Sequence, residues 1–211
     1  SPGRVECGMC GEALFLAPDE PLTGLSARAY LHGADRRALE ALQAVPALSD
    51  MVHHMLSQLG DRPAHLMFLS EAIRCDAEQF PELVGLVERA RQSLDYPLEP
   101  TVYLGESPHM NAMTTGVVNP IAVVRSSLLD QMTDDELVAI LGHELGHLQA
   151  HHLLYRSVAN LLLAGGGVAY APLRLLGLPL KRLVLRWGRA AELTADRAGL
   201  QPLRRLRDGS L

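Results

Sequence analysis

The segment that most constrains this chain runs from Thr133 to about Leu154, because it reads as one helix and carries His143-Glu144-Leu145-Gly146-His147. Thr133 and Glu136 stand in the T-x-x-E relation of a capping box, and Asp134 and Asp135 add negative charge to the first turn. Leu137, Ile140, Leu141, Leu145 and Leu148 recur at helical spacing and would bury one stripe in a core. The spacing predicts a helix from about Asp134 to about Leu154. Residues four apart on a helix lie one above the other, so His143 and His147 project from one face and can grip one metal ion. Glu144 is one step round, close enough to reach water at the metal without being a ligand. A bare H-E-x-x-H also arises by chance on amphipathic helices, so the neighbouring sequence has to decide. Gly142 and Gly146 weaken the helix. Their small size suits close approach by a substrate, by another backbone or by a packed helix.

Two histidines do not hold a catalytic metal; such sites take three protein ligands and leave the fourth position to water. Downstream, Glu192 and Asp196 lie four apart on a second helix-compatible stretch. Glu192 as third ligand gives a His2Glu set, and Asp196 is placed to accept the outer N–H of a ligating histidine and fix its tautomer. The bland alternative is a solvated face on which these carboxylates pair with Arg189 or Arg197 at surface value. Alone, that alternative would win; beside H-E-x-x-H it is the weaker one.

With these residues in view, the chain resembles the M48 metallopeptidases, the HtpX-type zinc proteases, whose pattern is H-E-x-x-H followed by a helix bearing E-x-x-x-D. The similarity also covers Met110-Asn111-Ala112-Met113, the strand-like Ile121-Ala122-Val123-Val124, Ser126-Ser127-Leu128-Leu129 and the block Arg189 to Gly199. It is specific from about Thr101 to Gly199 and weaker from about Ala34. The resemblance implies one zinc ion per chain held by His143, His147 and Glu192, with Glu144 as general base and Asp196 behind the ligands. It also implies Asn111, with Ala112, on an edge strand that binds substrate backbone. Relatives in the family often carry membrane segments between the zinc helix and the third ligand. Family domains also continue beyond the fifteen residues that follow Asp196 here.

A chain of 211 residues allows one domain of good size, or one domain plus an appendage. Aromatics make up only 4%, so Leu, Val and Ala must supply a helix-packed core. The charge is uneven: residues 181–211 hold eight Lys/Arg against three acids, so the preceding 180 residues carry −10 of the overall −5. Such a basic end is usually a solvated helix face, with anionic lipid or an acidic partner as the alternative. Without interleaved aromatics, nucleic-acid binding has no support. Three cysteines exclude a disulfide framework. Cys7 and Cys10 form a C-x-x-C that resembles one knuckle of a zinc ribbon, but with Cys75 alone and far off the second half is absent, so an inert or vestigial tail is expected. A metal site shared between chains, or thiol redox chemistry, is the lesser alternative. The first residues carry no apolar run of a secretory signal. Together with free thiols, this predicts the cytoplasm or the cytoplasmic face of a membrane.

Residues 1–30 read as an irregular leader, 31–97 as a helical N-terminal region and 98–211 as the peptidase domain. A helical pattern runs from Asp35 to Leu59 with a break at Pro46, and His53 and His54 on it are expected to face solvent, as is His109 in its loop. Residues 63–79 and then 81–94 are also expected as helices, the latter opened by Pro81. Thr101–Leu104 and Ile121–Val124 are strand candidates, with 110–113 a further one. Val158 to Ala171 is an almost uninterrupted apolar run, but 14 residues fall short of the roughly 20 that span a bilayer. It reads as an apolar hairpin that packs on the domain or dips into a membrane interface, followed by Lys181, Arg182 and Arg186.

The expected architecture is therefore mainly α with a small β-sheet, an α+β gluzincin-like domain with a helical N-terminal extension. The expected activity is that of a zinc metalloendopeptidase acting on polypeptides. Two rivals stand beside it. One is a catalytically inactive zinc-binding adaptor or chaperone-like module, which would not need Glu144. The other is a helical interaction domain whose motif is coincidental.

Overall fold

A computed structural model describes residues 25–45, 68, 70–116, 119–153, 155–156 and 171–207. The leader with Cys7 and Cys10, the segment holding His53 and His54, and most of the apolar run after Ser157 lie outside the described residues.

A 3-10 turn at Ala27–Ala29 leads into α1 (Gly33–Gln43), whose first turn is closed by the His32 ring accepting from the Ala34 amide at 3.1 Å. Strand β1 (Ala72–Cys75) precedes α2 (Pro81–Ser93), where Pro81 opens the helix as expected. Then come β2 (Thr101–Gly105), β3 (Ala112–Thr115), β4 (Ile121–Arg125), α3 (Ser126–Gln131), α4 (Asp134–Gln149) and α5 (Ala171–Arg207). The expectation of a mainly helical chain with a small sheet is met.

The four strands run in the order β1-β2-β4-β3, with β2 and β4 parallel and both outer pairings antiparallel. Side chains alternate between the two faces of the sheet. Val102 and Val124 join the main core under α2 and α4, while Tyr103, Ile121 and Val123 form a second cluster with Phe68. Residues 121–124 are all buried, as a central strand covered on both faces requires.

The helical reading of residues 63–79 holds at Phe68, Ser70 and Glu71 but needs correction beyond them, because 72–75 pair with β2 in the register Ala72↔Gly105 to Cys75↔Val102. A short mixed run has no decisive period of its own, and here a neighbouring strand decides its conformation. The helix that carries His143 and His147 also stops earlier than its pattern suggests. It ends at Gln149, and His151 then takes φ +57°, a left-handed turn that ends regular winding. The expected capping box is present: the Thr133 hydroxyl accepts from the Glu136 amide, and the Glu136 carboxylate accepts from the Thr133 amide at 2.8 Å.

Helices α4 and α5 pack antiparallel through their smallest residues. A Cβ added to Gly142 would lie 2.9 Å from the Pro202 ring, and one added to Gly199 would lie 2.8 Å from the Ala139 carbonyl oxygen. At Gly146 it would collide with the Ala198 methyl. Helix–helix contact, among the alternatives open for Gly142 and Gly146, is thus the one that accounts for them. Helix α1 packs against the same α5. No helix of the described residues is long and apolar enough to cross a membrane.

Candidate metal centre

The close approach of α4 and α5 brings a carboxylate from one helix to two imidazoles on the other. His143 Nε2 lies 3.3 Å and His147 Nε2 3.6 Å from the same Glu192 Oε2. Ligand atoms of these three residues all fall within 4.8 Å of one another, which makes them a group able to hold a metal ion. The dimensions suit one: ligands about 2.1 Å from a tetrahedral zinc are about 3.4 Å apart. His147 supplies a second sign of fit. Its Nε2 is buried and has no hydrogen-bond partner, a costly condition for a polar atom unless a cation takes its lone pair.

Both histidines are held from behind. Asp196, one turn beyond Glu192, places Oδ1 3.0 Å from His143 Nδ1. His147 Nδ1 meets a partner that the sequence did not announce, His152 Nδ1, at 2.9 Å. His152 in turn reaches Asp35 from α1. Had α4 continued to Leu154, His152 would have pointed elsewhere. Asp35 lies 112 positions before His147, too far for any local pattern to link them.

Charge shapes the group further. The adjacent imidazoles of His143, the nearer, and His147 hold the Glu192 carboxyl far below the ordinary carboxylate range. Burial alone would lower the His143 pKa, but its bond to Glu192 and the charges of Glu144, Asp196 and Glu192 outweigh that and raise it. At His147 burial dominates, and the pKa falls.

Glu144 stands apart from the three. Its Oε2 accepts from the Thr114 main-chain N–H at 3.1 Å, while the Thr114 hydroxyl donates to the Glu144 carbonyl at 2.8 Å. Burial pushes its pKa up, against the pull of His143, Arg156 and the Thr114 amide. Strand β3, an outer strand of the sheet among the described residues, is thereby fixed beside α4. Asn111 and Ala112 line a cleft of 630 Å³ together with His143, Glu144 and Asp196. Met110, Leu128, Met132 and Ile140 make its other walls apolar.

Two imidazoles and a carboxylate on antiparallel helices thus form a group able to hold a metal ion, with a separate glutamate beside an outer strand of the sheet. A sequence model of peptidase family M48 matches residues 77–208, and the chain belongs to that family. It is 33% identical over 178 residues to the plastoglobule-localized metallopeptidase 48 of Arabidopsis thaliana, a stretch covering 83% of this chain and 52% of that protein. A protease HtpX homolog of Moorella thermoacetica is 37% identical over 82 residues, covering 38% of this chain and 27% of that protein. Protease HtpX homolog 1 of Streptomyces coelicolor is 34% identical over 89 residues, covering 41% and 29%. The chain thus spans about half the length of the plant relative and less than a third of the bacterial ones.

Proposed function

We propose that this chain is a zinc metalloendopeptidase in which His143, His147 and Glu192 hold the metal and Glu144 is the general base. The observation that carries this reading is the separation of roles around one cleft. Two Nε2 atoms and the Glu192 carboxylate converge, while the Glu144 carboxylate is turned aside and tethered to Thr114. When bound, zinc supplies Lewis acidity, bringing the pKa of water toward about 7 and polarising a carbonyl.

The protein's own groups do the rest. Glu144 takes the proton from the attacking water and returns it to the leaving amine. Its raised pKa suits both tasks better than a fully solvated carboxylate would. Asp196 keeps the His143 Nδ1 proton engaged, which leaves Nε2 free as a ligand.

Substrate backbone would lie along β3. Asn111 O accepts from Arg125 N at 3.0 Å, so 111, 113 and 115 turn their main-chain groups toward β4, and 112 and 114 turn theirs outward. The outward Thr114 N–H is engaged by Glu144, which leaves Ala112 to pair with an extended peptide. Asn111, exposed at the mouth of the cleft, would contact the same peptide.

The test is cleavage of an unfolded protein such as casein by wild type and by Glu144→Gln, with metal content measured in parallel. The variant should keep its zinc and lose at least about 10²–10⁴-fold in rate, the usual worth of a general acid–base group. Wild-type cleavage by the variant would remove Glu144 from the mechanism. Stoichiometric zinc in a wild-type chain that cleaves nothing would favour the adaptor reading instead.

A further inference from the structure

The His147 ring has two nitrogens with separate tasks, and its surroundings divide them. Nε2 faces Glu192 at 3.6 Å, beyond hydrogen-bonding distance. Nδ1 lies 2.9 Å from His152 Nδ1, and His152 Nε2 lies 2.8 Å from Asp35 Oδ2. The same Asp35 oxygen accepts from the Thr194 hydroxyl at 2.6 Å, and that hydroxyl accepts from the His32 main-chain N–H at 3.1 Å. His147, His152, Asp35 and Thr194 are all buried, with Asp35 and Thr194 wholly out of solvent.

One arrangement of protons satisfies this chain. Asp35 sits in the first turn of α1, where the helix dipole favours a negative charge, so it accepts and His152 donates from Nε2. The His152 Nδ1 lone pair then accepts, so His147 carries its proton on Nδ1 and presents the bare Nε2 to the cluster. The opposite tautomer would bury a proton on Nε2, whose nearest acceptor, Glu192 Oε2, is 3.6 Å away and outside hydrogen-bonding distance.

The backbone is shaped for this contact. In an unbroken helix, five residues from His147 would set His152 about 140° round the axis. The left-handed turn at His151, φ +57°, brings it back instead. Trp187 from α5 then packs edge-on against the His152 ring at a centroid separation of 5.8 Å.

We propose that His152 and Asp35 are positioning residues of the metal centre: a buried relay from α1 that fixes the tautomer of His147 and so sets metal affinity. This rests on the reading that His147 is a ligand. A network serving only to tie α1 to α4 and α5 would change stability when broken but leave metal binding alone.

The experiment measures the zinc dissociation constant by chelator competition for wild type, Asp35→Asn, His152→Phe, His152→Gln and His147→Ala, with metal-free melting recorded alongside. Ring nitrogen shifts of His147 are read by NMR in the metal-free wild type. The relay predicts an Nδ1–H tautomer. It also predicts zinc binding weakened about 10–100-fold in Asp35→Asn and His152→Phe. His152→Gln, whose amide can both accept from His147 and donate to Asp35, should recover part of the loss. Folded Asp35→Asn and His152→Phe proteins that bind zinc within about twofold of wild type, while His147→Ala does not bind it, would overturn the relay and leave the ligand set standing. Retention of stoichiometric zinc by His147→Ala would overturn the ligand set and the relay together. Should a variant fail to fold, a wild-type His147 ring protonated on Nε2 overturns the relay by itself.

Discussion

Gly146 of α4 and Ala198 of α5 are so close that a methyl group on the glycine would collide with the alanine. This contact sets the separation of the two helices, and therefore the reach from Glu192 to His143 and His147. Gly146→Ala must push α5 outward, at a cost of about 1–3 kcal/mol for overpacking a tight core. Gly85→Ala, on the exposed face of α2 with nothing near it, is the matched control and should stabilise by up to about 1 kcal/mol. Chemical denaturation of the metal-free proteins compares the two. Gly146→Ala should also weaken zinc binding, whereas Gly85→Ala should not.

The start of the same helix gives a second prediction. Thr133 and Glu136 satisfy each other's main-chain amides there. Thr133→Ala should lose about 1 kcal/mol of stability, the usual worth of an N-cap side chain, with metal content unchanged. A denaturation midpoint equal to wild type would mean the box contributes nothing.

Alkaline pH should destabilise the fold through two tyrosines. The Tyr30 hydroxyl donates to Gln149 Oε1 at 2.6 Å, and burial, then the nearby Tyr96, raises its pKa well above the phenol range. Burial also raises that of Tyr96. A raised native pKa means the folded chain keeps protons that the unfolded chain has already lost. The stabilisation is thus complete below about pH 10 and falls as pH climbs toward the native values. Denaturation from about pH 8 to pH 11 should show this decline, and Tyr30→Phe should flatten it. A decline of equal slope in that variant would assign the effect elsewhere.

How much was legible follows the range of each interaction. The capping box, the helix it opens and the two imidazoles on one face are local, and the residues announce them. Glu192 and Asp196 are 45 or more positions downstream, yet their own i,i+4 spacing marks them and the structure places both beside His143. Strand β1 was misread because its conformation is fixed by pairing with β2, across α2. His152 and Asp35 were missed for two reasons. One depends on a single left-handed residue at His151, and the other on α1 folding back over α5. Neither leaves a periodic trace. Asn111 and Ala112 came from family resemblance alone, and the cleft places them beside Glu144.

The central claim is the ligand set, and X-ray absorption at the zinc edge of the purified chain tests it most directly. Two imidazoles and a carboxylate predict a first shell of nitrogen and oxygen at about 2.0–2.2 Å, with the multiple scattering of two histidine rings. The signal should disappear in Glu192→Ala and His147→Ala. Sulfur at about 2.3 Å would place the metal on cysteine, with Cys7 and Cys10 the obvious donors, and would contradict the account.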